Sequence, residues 1–378
     1  MINPEKKADI LRQTLIKPSS REISLPGERV EYLVAQIGGQ GQDPGEKKIL
    51  DVYFRYKDCL DPIENPDWFS ATLAKVWSPK FLGLKQNFFH LPVEQIKKLE
   101  FQNPSYAAAF RIFSRKGDPR KYARVFTFQV AGCNFDCNYC FVPPQLKSGD
   151  VKFGKYFSAK EIVDHFLRIK KERENEDWNI LRITGGEALT ITPEIIFNIQ
   201  KELERKSPQT YLWVETNLSC SKYIKKFERE LKEVFKKNVG IVGCFKGVNE
   251  KDFSILTGVE SRFYENQFET ARLLIDLGAD IYFYFPALIY EDNIEEKIEN
   301  FIKKLRKINK NLPLRTEIIS IIEDYPASKI NIKEKEKEGR PLPKTDQRIV
   351  FDLWYNKMLP KFYSKEDLEK YCCEIKLD

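Results

Sequence analysis

From about residue 121 the chain alternates two hydrophobic patterns. Short β-branched and aromatic runs are separated by amphipathic segments of roughly 10 to 17 residues with apolar positions at helical spacing, the rhythm of βα repeats. The runs that read as strands are Val125 to Val130, Ile180 to Thr184, Tyr211 to Glu215, Val239 to Cys244, Ile281 to Phe285 and Leu314 to Ile321. Between them, Ser158 followed three residues later by Glu161 forms a capping box ahead of Ile162, Val163 and Phe166. Thr192-Pro193-Glu194 reads as an N-cap with Pro at the first helical position. Further helices fit Ser221 to Lys237, Arg262 to Leu277 stopped by Gly278, and Ile294 to Lys307. Parallel strands joined by right-handed helical crossovers describe an open doubly wound sheet or an incomplete barrel, and both bind ligands at the carboxyl ends of the strands.

The flanks read differently. Residues 1–120 hold two strand-like runs, Val30 to Ile37 and Ile49 to Arg55, joined by a Gly-rich stretch over 38–45 that precedes a strand and so reads as a loop or hairpin rather than a phosphate cradle. Residues 331–346 alternate Lys and Glu and then carry Pro341 and Pro343, the composition of a solvated linker. A short C-terminal helix beginning near Ser364 ends in Cys372-Cys373.

Composition narrows the chemistry. With 378 residues and 42% hydrophobic content the chain can bury a large core, and a formal charge of +7 permits an anionic partner, RNA included, without requiring one. No apolar stretch follows the charges of Met1 to Lys7, so no secretory signal is expected. The longest apolar run, Ile281 to Tyr290 with Pro286 inside it, is too short to span a membrane. A cytoplasmic protein with reduced cysteines is the expectation. Eight cysteines against two histidines disfavour His-based chemistry and favour sulfur chemistry.

Directly after the first βα strand comes Cys133-Asn134-Phe135-Asp136-Cys137-Asn138-Tyr139-Cys140, a C-x3-C-x2-C loop. Three soft thiolates at short spacing can hold three corners of a cubane iron–sulfur cluster. A structural zinc site needs a fourth ligand, and no nearby Cys or His supplies one. Three thiolates leave one iron without a protein ligand, the vacancy a cluster needs to bind a substrate. At the end of the second strand stand Gly185-Gly186-Glu187, two glycines that let a ligand approach the backbone and an acid able to accept from an amine.

The two motifs together, with Tyr139 before the third cysteine, resemble the radical S-adenosylmethionine (radical SAM) superfamily over roughly residues 121–325. The resemblance implies a partial (βα)6 TIM-like barrel of α/β class, with an N-terminal α+β extension over 1–120 and a short linker and helical tail over 326–378. It implies that Cys133, Cys137 and Cys140 ligate a [4Fe-4S] cluster whose free iron binds S-adenosylmethionine. An electron from the cluster then cleaves that cofactor to methionine and a 5′-deoxyadenosyl radical. Gly185, Gly186 and Glu187 would receive the methionine ammonium, and Tyr139 would lie by the adenine. A reducing partner such as ferredoxin or flavodoxin is implied as well.

Within the superfamily the chain is similar to the branch of glycyl-radical-enzyme activases and 7-carboxy-7-deazaguanine synthases. Glu215-Thr216-Asn217, Leu256-Thr257-Gly258 and Glu265-Asn266 fit that branch, and the first of them adds Glu215 and Asn217 to the cofactor-binding set. The fourth-strand element departs, reading Cys244-Phe245-Lys246 where the branch has Asp-x-Lys. Cys244 and Lys246 are candidate catalytic residues, Cys244 as a hydrogen-atom donor, and Cys220 also falls near a strand end; each cysteine reads otherwise as a residue packed at a barrel rim. Cys59, Cys372, Cys373, His90 and His165 carry no expected role. The rival classes are a non-catalytic iron–sulfur electron carrier or scaffold and a structural zinc protein. Within enzymes, a protein activase and a tRNA-modifying enzyme stand as alternatives.

Overall fold

The computed structural model describes residues 1–19, 30–37, 124–172, 178–290, 292–319, 321, 326–368, 370 and 375–377. Its strands are β1 (Ile16–Pro18), β2 (Val30–Ile37), β3 (Arg124–Val130), β4 (Lys155–Ser158), β5 (Trp178–Gly185), β6 (Tyr211–Thr216), β7 (Val239–Cys244), β8 (Ile281–Pro286) and β9 (Thr316–Ile319). They form one sheet in the order β1-β2-β3-β5-β6-β7-β8-β9, with β4 paired to β2. Every pairing along that path from β3 to β9 is parallel, whereas β2 runs antiparallel to β1, β3 and β4. The sheet is not closed, and its six parallel strands are those read from the sequence: a partial barrel of α/β class.

The helices are α1 (Pro4–Leu15), α2 (Ala159–Glu172), α3 (Glu194–Lys206), α4 (Lys222–Lys226), α5 (Glu228–Phe235), α6 (Glu250–Thr257), α7 (Glu265–Asp276), α8 (Ile294–Ile308), α9 (Pro326–Lys337), α10 (Gln347–Asp352) and α11 (Lys365–Leu368). None among the described residues is long and apolar enough to cross a membrane. The capping box is reciprocal, the Ser158 amide donating to Glu161 at 2.9 Å and the Glu161 amide to the Ser158 hydroxyl at 3.3 Å. Two boundaries differ from expectation. Thr192 spends its hydroxyl on the Ala188 carbonyl instead of capping α3. The segment read as a single helix from Ser221 breaks at Phe227, which leaves helical geometry and turns its ring against Phe197 of α3, centroids 5.7 Å apart.

Period-two alternation along the strands separates two environments. Phe126, Phe128, Leu181, Ile183, Leu212, Val214, Ile241, Phe283 and Phe285 join one apolar core with helix residues such as Phe166, Ile199, Leu274 and Phe301. The intervening positions carry Thr127, Gln129, Arg182, Thr184, Trp213, Glu215, Cys244, Tyr282, Tyr284 and Glu317, a polar and aromatic face lining the concave side. Gly240 belongs to this face because a Cβ there would stand 1.6 Å from the Tyr211 hydroxyl oxygen.

Residues 331–346 correct the linker expectation. Helix α9 occupies 326–337 and buries Ser328 and Asn331 against the barrel mouth. Its contacts there are hydrogen bonds rather than an apolar stripe, so hydrophobic periodicity carried no trace of them. The described part of the N-terminal flank, α1 and β2, lies against β3 and the loop that follows it. The run Ile49 to Arg55, the Gly-rich stretch, His90, Cys59 and Cys372-Cys373 lie outside the described residues.

Candidate active site

The thiol loop leaves β3 at Ala131 and is pinned on several sides. The Cys133 amide donates to the Lys147 carbonyl at 3.0 Å, the Asp136 amide to the Thr257 carbonyl at 3.0 Å, and the Asn138 amide to the Leu256 carbonyl at 2.9 Å. Leu256-Thr257-Gly258 is therefore a backbone ledge under the loop, formed where α6 ends at Gly258 with φ of 70°. Asn134 reaches inward to the Ser219 hydroxyl at 2.7 Å and to the Pro4 carbonyl at 3.1 Å, tying the loop to the turn after β6 and to the start of α1.

Beneath it is a pocket that opens to solvent. All three thiols of the loop line it, with Tyr139, Gly185, Gly186, Glu215, Asn217, Cys244 and Lys246. Thr184, Glu215, Cys244 and Tyr284 come from the carboxyl ends of four successive strands, where α/β folds place their ligands.

Two sequence candidates stand elsewhere or do something else. Glu187 does not line the pocket. It is buried, and its carboxylate accepts the Thr190 amide at 2.9 Å, the Thr216 hydroxyl at 2.9 Å and the Asn217 amide at 2.5 Å. Burial raises its pKa, with those hydrogen bonds acting in the opposite sense. Cys220 is buried too, its thiol directed at the Thr190 carbonyl at 3.7 Å. The glycines have a packing cause: a Cβ on Gly186 would lie 2.0 Å from the Gly132 carbonyl oxygen, and Gly185 has φ of +90° with Gln129 2.3 Å from where its Cβ would be. The strand end passes so close under the thiol loop that only glycine fits.

Burial governs the electrostatics. It raises Cys133 and pushes Cys137 and Cys244 up to about 12. Burial alone would lower Lys246, yet the surrounding Tyr139, Cys244, Cys137 and Cys140 hold it well above its ordinary value. The Tyr139 hydroxyl is buried without a hydrogen-bond partner among the described residues. Glu215 is held by the Arg182 guanidinium and the Thr184 hydroxyl, each at 2.5 Å, and that guanidinium lies 4.1 Å from the centroid of the Trp213 ring.

Residues without a sequence signal complete the site. Gln267, fully buried, donates to the Asn217 carbonyl at 2.6 Å and to the Cys244 carbonyl at 3.0 Å, and accepts the Lys246 amide at 3.1 Å. One side chain thus fastens the ends of β6 and β7 together. Arg182 and Thr184 could have been found as polar positions alternating inside a hydrophobic strand.

Residues 130–305 match the model of the Radical SAM superfamily. That match covers a little under half of the chain. Members of that superfamily use a [4Fe-4S] cluster and S-adenosylmethionine. No curated protein sequence matches the chain. Among solved structures, anSMEcpe with bound AdoMet is 15% identical over 61% of this chain and 57% of its own, with a TM-score of 0.37. SuiB of Streptococcus suis, bound to the precursor peptide SuiA, is 16% identical over 55% of this chain and 43% of its own, with a TM-score of 0.35. A spore photoproduct lyase is 12% identical over 57% of this chain and 60% of its own, with a TM-score of 0.41. The chain therefore spans less than two thirds of the length of these three.

Proposed function

We propose that the pocket beneath the thiol loop is where this radical SAM domain cleaves S-adenosylmethionine and begins radical chemistry on a substrate held by the concave face. The single observation that carries the reading is that the three thiols of one loop and the carboxyl ends of successive strands line one pocket. The residues suit the cofactors. Thiols become thiolates when a soft cation binds them, and three on one wall match three corners of a cubane.

Cys133, Cys137 and Cys140 would hold the cluster. Asn217 reaches the Cys133 sulfur at 3.7 Å and the Val142 amide reaches the Cys140 sulfur at 3.4 Å, donors that stabilise thiolate charge. Gly185, Gly186, Tyr139, Glu215 and Asn217 would contact S-adenosylmethionine, with Glu187 bracing Asn217 from behind. When bound, the two cofactors supply a one-electron cleavage that delivers a carbon-centred radical. This chain's own residues would orient the cofactor and offer Cys244, its thiol pushed up to about 12 by burial, as a hydrogen-atom donor beside Lys246. A ferredoxin or flavodoxin would supply the electron, in the cytoplasm. Glu215-Thr216-Asn217 and Leu256-Thr257-Gly258 favour the activase and 7-carboxy-7-deazaguanine synthase branch, the former at the pocket and the latter as the ledge under the loop.

The test is anaerobic reconstitution with iron and sulfide, reduction, and addition of S-adenosylmethionine. The expected result is 5′-deoxyadenosine from the native chain and none from Cys137→Ala. A reduced, iron-loaded protein that leaves S-adenosylmethionine intact would overturn the reading in favour of an electron carrier.

A further inference from the structure

The segment over 326–341 touches the thiol loop through a set of polar contacts. Asn331 donates to the Cys140 carbonyl at 2.7 Å and the Val142 carbonyl at 3.0 Å, and accepts from the Lys147 ammonium at 3.1 Å. Lys147 in turn receives the Cys133 amide on its own carbonyl. At the middle of the loop, Asp136 meets Lys335 at 2.7 Å, Arg340 at 2.8 Å and Lys147 at 3.4 Å, while Arg340 also donates to the Asp136 carbonyl at 3.0 Å. The Asn138 amide side chain returns a hydrogen bond to the Arg340 carbonyl at 3.1 Å. Each cysteine of the loop is thus within one residue of a group held by this segment, or is linked to it through Lys147.

The charges do not balance locally. Lys147, Lys335 and Arg340 face Asp136 and Glu338, leaving an excess of positive charge over the loop. Three thiolates leave an iron–sulfur cluster net anionic, so loading the loop supplies the missing negative charge in a partly buried place, where charge interactions are stronger than in open water.

We propose that α9 and Arg340 form a strap whose docking and the retention of the cluster stabilise one another, with Asn331, Lys335 and Arg340 as positioning residues for the thiol loop. The proposal rests on Cys133, Cys137 and Cys140 being the cluster ligands. Linkage makes the effect reciprocal: a cluster that tightens the strap is itself held more tightly by it.

The experiment compares the full chain as the apoprotein and after anaerobic reconstitution. Limited trypsin digestion is followed at the Lys-rich strap, Lys329 to Lys337, and iron loss to a chelator is timed for native protein, Asn331→Ala, Arg340→Gln and Arg340→Lys. We expect strap cleavage to slow at least several-fold on reconstitution, and Asn331→Ala and Arg340→Gln to lose iron several-fold faster, with Arg340→Lys between them and the native chain. Equal strap cleavage in both forms, with native iron retention in the variants, overturns the strap while leaving the ligand assignment standing. Failure of the native chain to take up iron overturns both. The native comparison needs no substitution, so a variant that fails to fold does not remove the test.

Discussion

Glu187 accepts the backbone amide of Asn217 at 2.5 Å across the gap between the ends of β5 and β6. The same carboxylate takes the Thr190 amide and the Thr216 hydroxyl, so its work is to hold the β6 turn that presents Asn217 to the pocket. Glu187→Ala would orphan three buried donors at roughly 1 to 3 kcal/mol each, so we expect at least about 3 kcal/mol lost in chemical denaturation of the cofactor-free protein. Glu187→Gln keeps one acceptor oxygen and should lose less. A Glu187→Ala protein of native stability that fails only to bind S-adenosylmethionine would move this residue back to the pocket.

Gly186 after β5 and Gly278 after α7 predict an uneven response to a single methyl group. In Gly186→Ala the methyl would meet backbone oxygens of Gly132 at 2.0 Å and Val130 at 2.6 Å, neither of which can swing aside. Overpacking against backbone should cost about 3 kcal/mol or more. Gly278→Ala is the control: its φ of +83° is unfavourable for alanine, but nothing lies within 4 Å, so about 1 to 2 kcal/mol is expected. Thermal melts of the two variants give the comparison, and equal losses would refute the close passage.

How much of this was written in the chain depends on the kind of interaction. The six parallel strands and the capping box at Ser158 are periodic or local signals, and both appear where the pattern puts them. The thiols and glycines are legible because few other residue types serve at such spacing. What the pattern misses is polar contact between distant segments. Asn331 meets Cys140 across 191 positions and Gln267 meets Asn217 across 50, and a lone buried amide has no period. The Lys and Glu alternation of 331–346 resembles a solvated linker because the charges that dock it are the charges that would also solvate it.

His165 predicts a pH dependence away from the site. Burial lowers its pKa below 6.5, helped by the neighbouring Arg168, whose guanidinium lies 2.9 Å from its Nδ1. The unfolded chain then binds a proton that the folded chain refuses, so stability rises with pH across this window and is lost as pH falls below about 6.5. His165→Gln should flatten that slope in denaturation curves taken between about pH 5 and 7.5. An unchanged slope in the variant would place the titration on another group.

The two-faced sheet has a consequence for change over time. Ile183 and Val214 pack in the helix-side core, while Thr184 and Glu215, one step along the same strands, line the pocket. A substitution on the concave side changes what the mouth presents without entering the helix-side core, so what this chain accepts can drift while its architecture stands still.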